Sequence, residues 1–477
     1  MTAPKVKVLS VELFERPYKL RMPFRFGVIT VTHGIQAVTR VRIRHQDGRE
    51  EFGHAAEALG AKWFDKDKTL SDDQNLDQLR RALEIATAAY LVAAPSTAFG
   101  LFADGYRGQI AAGAQERLNP LVASYGPALL DRAVLDALCR LENVSFYEAI
   151  RTNLPGIGHH PIIADLDGFD LAGFLAGLSP QAGIDVRHTV GLVDPIVAAD
   201  QAPGTRVDDG LPETLEEVVS FYGCRWYKLK VAGDVPSDIA RLEKIAAVLD
   251  RIPGGYRATL DGNEQYETAE AFAPLWQAIQ ARPSLAKLWE AIVLIEQPIA
   301  RHAALSQPLG AAAPPKPVII DESDGDLDAF PRARALGYHG VSSKVCKGLY
   351  KSILNLARCR MWNGGADGPY FMSGEDLTTQ MGASIQQDLA LVSLLGITHV
   401  ERNAHHFIDG FDERPETEAR AHLAAHPDLY RDDHGRVRLA IVEGRLAIGS
   451  LDRPGFAASP PPDVSVLAPM RKSGWDG

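Results

Sequence analysis

The sequence predicts an α/β fold, a (β/α)8 barrel of the TIM type carrying an α+β capping domain, on two observations. Five short apolar runs between Trp226 and Lys344 each end in a charged side chain: WYKLK at Lys230, YRATLDGN at Asp261, IVLIEQP at Glu296, PVIIDES at Asp321 or Glu322, and YHGVSSK at Lys344. These ends lie 23 to 35 residues apart, the length of one strand, one helix and their loops, and a series of such units closes into a parallel barrel or an open parallel sheet. The open sheet would want a glycine-rich phosphate loop after an early strand, and neither G-x-G-x-x-G nor G-x-x-x-x-G-K-[ST] occurs. In a barrel the C-terminal strand ends converge on one face, so three acids and two or three lysines meet in one cup.

The first section, residues 1–155, lacks this alternation and is expected to form the cap. Val6–Leu13 and Gln36–His45 alternate as strands, and the second runs into a Gln46-Asp47-Gly48 turn with EFGHAAEA beyond it. Leu76–Ala94 and Pro127–Leu141 carry apolar residues at helical spacing. Between the first strands, RMPFRFGVIT at residues 21–30 mixes Arg21, Arg25, Phe24 and Phe26 with Pro23 and Gly27, and is expected to be a loop. Such a loop serves either as a lid over a substrate or simply packs its own aromatics.

Residues 156–429 are expected to hold the barrel. Ile184–Leu192 is its first strand, followed by a long connection from Val193 to Pro212 and a helix bounded by Pro212 and Gly223. The strand to Lys230 comes next, then the helix PSDIARLEKIAAVLDRI, and the later units alternate down to PYFMSGED, THVERN and a helix near Glu416–Ala425, which makes eight strands. Residues 430–477 read as a polar turn, two short strands and a proline-rich surface tail, returning to the cap.

Composition narrows the partners. The chain has 477 residues, 46% apolar and 23% charged, with a formal charge of −11 and a pI near 5.7, so neither nucleic acid nor an anionic membrane surface is an expected partner. No apolar run approaches about 18 residues and MTAPKVKVLS has no signal-like core, so the expected location is the cytoplasm. Cys139, Cys224, Cys346 and Cys359 form no C-x-x-C pair and are expected to be reduced and buried.

The strand period of two puts Lys228 and Lys230 on one face, where each is expected to depress the other's pKa and make a usable general base. Asp261, Glu296 and Asp321 or Glu322 end three successive strands. Three carboxylates in one cup repel unless a cation joins them, and hard oxygen ligands without histidine or thiolate point to magnesium, with manganese as the alternative. Lys344 closes the ring from the other side. Such a cup removes the α-proton of a carboxylate and stabilises the resulting enediolate, one lysine taking the proton and the other returning it.

These residues resemble the enolase superfamily, and within it the muconate-lactonizing subgroup of the mandelate racemase/muconate lactonizing enzyme family. The resemblance is carried by Lys228-Leu-Lys230, Asp261-Gly-Asn263, Glu296-Gln-Pro298, Asp321-Glu-Ser323 and Lys344, in that order and spacing. It implies Lys230 and Lys344 as the acid/base pair and Lys228 as an electrostatic contact to the substrate carboxylate. It also implies Asp261, Glu296 and Asp321 as ligands of magnesium, with Glu322 behind them, a mobile cap loop at RMPFRFGVIT, and a homo-oligomer. Asn263, Glu322, Glu375, Glu401 and Arg25 are the residues expected to meet substrate. Departures are the absence of a histidine beside Glu375-Asp376, Glu401-Arg402-Asn403 in place of the D-x-D of dipeptide epimerases, Gly348-Leu349 in place of a glycine pair, and the long Val193–Pro212 linker. His405 and His406 follow the eighth strand as a further pair at the barrel mouth. The expected function is a magnesium-dependent racemase, epimerase or cycloisomerase, an isomerase acting on a small carboxylate. The alternatives are a dehydratase or other β-eliminating lyase, and a binding protein that has kept the scaffold without turnover.

Overall fold

Three long strands form an antiparallel sheet at the start of the chain in this computed structural model, which describes residues 3–26, 29–364 and 368–477. Val6–Phe26 (β1) pairs with Ile29–His45 (β2) from Val6 opposite His45 to Phe26 opposite Ile29, and Glu50–Ala58 (β3) adds to β2. The turn at Gln46-Asp47-Gly48 forms as expected, with Gly48 at φ 93°. RMPFRFGVIT is not a separate loop. Its described residues extend the hairpin, and Gly27 and Val28 lie outside the described residues. Pro23 falls in the register shift between Lys19 and Phe24, where its missing amide costs no ladder hydrogen bond, and Phe24 beyond it is buried against Phe407, centroids 4.6 Å apart.

Three helices follow: Asp72–Val92 (α1) and Pro120–Leu141 (α3) back this sheet, and Ala98–Gln115 (α2) packs on both of them. Ser71 and Gln74 close a capping box on α1, and Asn119 caps α3 with Pro120 beside it. α3 begins seven residues before the expected start at Pro127, which sits inside the helix. The carbonyl of Ala123, left without its helical donor by Pro127, instead accepts from Gln109 Nε2 of α2 at 2.9 Å. α3 is buried along almost its whole length and crosses the sheet so closely that a Cβ on Gly53 would stand 2.0 Å from the carbonyl oxygen of Ala133.

The barrel strands are Gly183–Val190 (β4), Trp226–Lys230 (β5), Arg257–Asp261 (β6), Ile292–Glu296 (β7), Val318–Ile320 (β8), Gly340–Ser343 (β9), Phe371–Gly374 (β10) and His399–Arg402 (β11). All neighbours pair in parallel and β11 pairs with β4, which closes the barrel. Helices alternate with the strands outside. Leu215–Tyr222 (α4), for example, stops at Gly223, φ 66°, as expected, but starts on a Thr214/Glu217 capping box, which leaves Pro212, the expected start, outside the helix. Leu229, Leu260 and Ile295, one residue from the strand-end charges, face this helical layer and are fully buried.

The C-terminal section differs from its expectation in detail. Tyr430–Asp433 (β12) pairs with Arg436–Leu439 (β13), Arg445–Ala447 (β14) adds antiparallel to barrel strand β4, and the contact with the cap sheet is made by Ala468–Pro469 (β15) on β1. The tail is anchored, since Trp475 Nε1 donates to the Glu116 carbonyl at 2.8 Å. All four cysteines are buried and free, and no helix among the described residues is long and apolar enough to cross a membrane.

Candidate active site

Strand geometry delivers the charged ends to one cup. Lys228 and Lys230 both point inward from β5, and Asp261, Glu296 and Asp321 follow from β6, β7 and the residue after β8, each at most 1% exposed apart from Lys230 at 6%. The loops between them are tightly built. A Cβ on Gly262 would lie 2.5 Å from Pro298 Cα, so the D-G-N turn packs directly on the E-Q-P turn. Gln297 is the pin: its Oε1 accepts from the amides of Asp321 and Ser323 at 2.8 and 3.1 Å, and its Nε2 donates to Ser323 Oγ at 2.7 Å.

Lys228 is the centre of the charge. Its Nζ donates to Glu296 Oε1, Glu375 Oε2 and Glu401 Oε2, each at 2.9 Å, and lies 3.1 Å from Asp261 Oδ2. Lys230 Nζ donates to Asp261 Oδ2 at 2.8 Å and Asn263 Oδ1 at 2.7 Å. Across the cup Lys344 Nζ donates to Asp321 Oδ2 at 2.6 Å, while Ser342 Oγ holds Oδ1 of the same carboxylate. Arg187 of β4 pairs with Glu375, and Thr189 Oγ1 donates to Glu401 Oε1 at 2.7 Å. Burial alone would lower the Lys228 pKa, but the surrounding carboxylates, Asp261 and Glu296 foremost, outweigh it and hold the ammonium well above its ordinary range. Lys344 is likewise raised, with Asp321 overcoming burial. The mutual depression expected of Lys228 by its lysine neighbour is therefore reversed, because five acids stand around these lysines.

The oxygen donors fit a hard divalent cation in kind. Burial, reinforced by the charges of Asp261 and Glu375, pushes the Glu296 carboxyl well up, and its buried Oε2 accepts no hydrogen bond although Lys228 Nζ lies 2.7 Å away. Among the described residues, however, no three side chains of His, Cys, Asp or Glu form a ready-made ligand set. Lys228 bridges Asp261 and Glu296, and Asp321 is held by Lys344 and by Lys347, whose Nζ is 3.3 Å from Oδ1.

Of the residues expected to meet substrate, Asn263 and Glu401 line the cavity between cap and barrel; Glu375 lies beneath, on Lys228. Glu322 sits behind Asn263, accepting from its Nδ2 at 3.2 Å, with Lys66 Nζ of the cap 3.6 Å away. Arg25 does not line the cavity, and its buried Nε has no hydrogen-bond partner. Sequence reading missed the cap side of the site. Trp63, in the one-turn segment Ala61–Phe64, lies over Lys344 Nζ with its ring centroid 4.1 Å away. Arg301 donates to the Trp63 and Phe64 carbonyls at 2.8 Å and to Glu264, which also pairs with Lys66 at 2.6 Å, so the segment is latched to the barrel. No apolar periodicity marks these residues. Arg187, which pairs with Glu375, was also missed, although a buried arginine within strand β4 is a signal the sequence offers.

Comparisons with known proteins agree on architecture. No family model matches the sequence, and no curated protein sequence does. Among solved structures, a dipeptide epimerase from Enterococcus faecalis V583 complexed with Mg and the dipeptide L-Leu-L-Tyr is similar over 94% of this chain and 99% of its own, at 15% identity and a TM-score of 0.58. The 2-chloromuconate cycloisomerase of Rhodococcus opacus 1CP is similar over 97% of both chains, at 15% identity and a TM-score of 0.56. The chain has the enolase-superfamily fold. A member of the enolase superfamily from Roseovarius nubinhibens ISM, complexed with magnesium, is similar over 98% of this chain and 99% of its own, at 16% identity and a TM-score of 0.56. Within the enolase-superfamily fold, the charged strand ends described above lie at the C-terminal mouth of the barrel, under the cap.

His405 and His406 do not reach the cavity. They pack with His188 of β4, whose Nδ1 is 3.2 Å from His405 Nε2, and Arg21 donates to the His406 carbonyl at 2.9 Å while pairing with Asp209 of the long linker. Burial holds all three imidazoles neutral, with His188 pushed down to about 3. A folded pKa below the unfolded value means stability present above about pH 6.5 and lost as pH falls. Wild type is therefore expected to lose about 2 kcal/mol relative to His188→Gln between pH 7 and pH 5, read from urea unfolding midpoints at the two pH values.

Proposed function

We propose that the protein is a divalent-metal-dependent isomerase that removes and returns the proton at the α-carbon of a carboxylate substrate, acting as a racemase, epimerase or cycloisomerase. The observation that carries this reading is the placement of two lysines. Lys230 ends β5 and Lys344 follows β9, four strands apart in a closed ring of eight, so their ammonium groups face each other across one cavity. A substrate carbon held between them presents one face to each. Lys344, held as an ammonium by Asp321, donates to one face while Lys230 takes the α-proton from the other, and the return reaction starts from the protonation state so produced; Lys228 between them offers positive charge to the carboxylate that becomes an enediolate. Asn263 and Asp261 orient Lys230, and Asp321 with Ser342 orients Lys344.

Asp261, Glu296 and Asp321 would hold a magnesium ion, which when bound supplies positive charge to the substrate carboxylate. The solved structures of similar fold that contain magnesium support this reading. Isothermal titration calorimetry tests it: wild type is expected to bind Mg2+ and Glu296→Gln to bind it about 100-fold more weakly or not at all, with EDTA abolishing α-proton exchange. Equal Mg2+ affinity in the two proteins would remove Glu296 from the ligand set.

A further inference from the structure

The cavity has a volume of about 40 Å³, room for little more than one water, and is roofed by Phe24, Trp63 and Leu377. Any substrate must displace these three side chains, and whatever extends beyond its reacting carboxylate then lies against their apolar faces. We infer that, if the proton-transfer reading holds, the substrate is a monocarboxylate whose distal part is uncharged and apolar or aromatic, with Trp63 as the main residue that selects it.

Two further sets of contacts carry this. Among the described residues, the only cations lining the cavity are Lys228, Lys230 and Lys344, all at its floor. Of the cap cations nearby, Arg21 is committed to Asp209 and Lys66 to Glu264, Glu322 and the Asn263 carbonyl, and Arg25 does not line the cavity. A second anionic group would enter an apolar roof with no counter-charge, and an unpaired buried charge is costly. A distal ammonium fares no better. Asp376 lines the cavity, but its Oδ1 accepts from Leu377 N, Thr379 N and Oγ1 and Arg402, and its Oδ2 from Asn403 N at 3.0 Å. Glu401 is held by Lys228, Thr189 Oγ1 and the Asp376 amide. Neither carboxylate is free for a substrate cation. An aromatic ring, by contrast, gains area and edge or face contacts against Trp63 and Phe24.

Calorimetric binding of three probes in the presence of magnesium tests this: 3-phenyllactate, malate and L-alanyl-L-phenylalanine. The expected result is 3-phenyllactate bound at least about tenfold more tightly than either of the others. Trp63→Ala should reduce that affinity at least tenfold, and Trp63→Phe should restore most of it, which a merely structural loss would not allow. Tightest binding of malate, lost in Arg25→Ala, would overturn the inference in favour of a distal anion site. Tightest binding of the dipeptide, lost in Asp376→Asn, would overturn it in favour of a distal cation. α-Proton exchange measured on the same probes keeps the two readings apart: exchange without the binding preference removes only the substrate class, preference without exchange removes the proposed reaction, and no binding by any probe removes both.

Discussion

Lys230→Ala and Lys344→Ala are each expected to lower turnover between substrate enantiomers or epimers by 10²–10⁴-fold, the usual contribution of a positioned general acid or base. The signature lies in which exchange survives. Because the two lysines stand on opposite sides of the barrel, each variant should lose α-proton exchange from the stereoisomer whose proton faces the missing amine, while retaining exchange from the other. A protein using one lysine for both faces would instead lose exchange from both isomers in one variant and neither in the other. The measurement is hydrogen–deuterium exchange followed separately on each stereoisomer. Each variant must also keep its fold, which near-UV circular dichroism reads.

Lys228→Met is expected to cost about 3–5 kcal/mol of stability, because it strips the positive charge that Glu296, Glu375, Glu401 and Asp261 share in a buried site. For a chain of 477 residues this corresponds to a fall in Tm of about 3–5 °C by calorimetry. Adding Glu401→Gln to Lys228→Met should recover part of that loss, since one uncompensated carboxylate is removed. A Lys228→Met protein as stable as wild type would show that the carboxylates are relieved another way.

The barrel and the positions of its charged ends were legible because they rest on local patterns. A short apolar run with a charge at its C-terminal end reads the same in sequence and in structure, and Lys228, Lys230, Asp261, Glu296, Asp321 and Lys344 all meet in one cup. Less was legible where local signals conflict. α2 carries Gly100, Gly105, Gly108 and Gly113, each unfavourable in a helix, and it forms because it packs on α1 and α3 and sets Phe99 and Phe102 against Tyr350 of the barrel. Pro127 reads as a helix start and lies in the middle of α3, its unmet carbonyl satisfied by a residue of a neighbouring helix. Pro23 and Gly27 made a continuing hairpin look like a loop.

Contacts between distant segments were out of reach. That Glu375 and Glu401 converge on Lys228 depends on barrel closure bringing β10 and β11 round to β5, and nothing in either local stretch encodes it. Trp63 over Lys344 joins residues of two domains nearly three hundred positions apart. Arg25, chosen for its charge in a cap segment, points to no cavity residue, because the hairpin register sends Phe24 inward at the neighbouring position.

Deuterium incorporation by mass spectrometry tests the central claim most directly, using the protein with magnesium in D2O and a panel of α-hydroxy acids, N-acyl amino acids, dipeptides, sugar acids and muconolactones. The account predicts that one class gains a single deuterium at its α-carbon and that the gain disappears in the Lys230→Ala, Lys344→Ala double variant. Substrates that bind with magnesium present yet gain no deuterium, or a double variant that still exchanges, would contradict it.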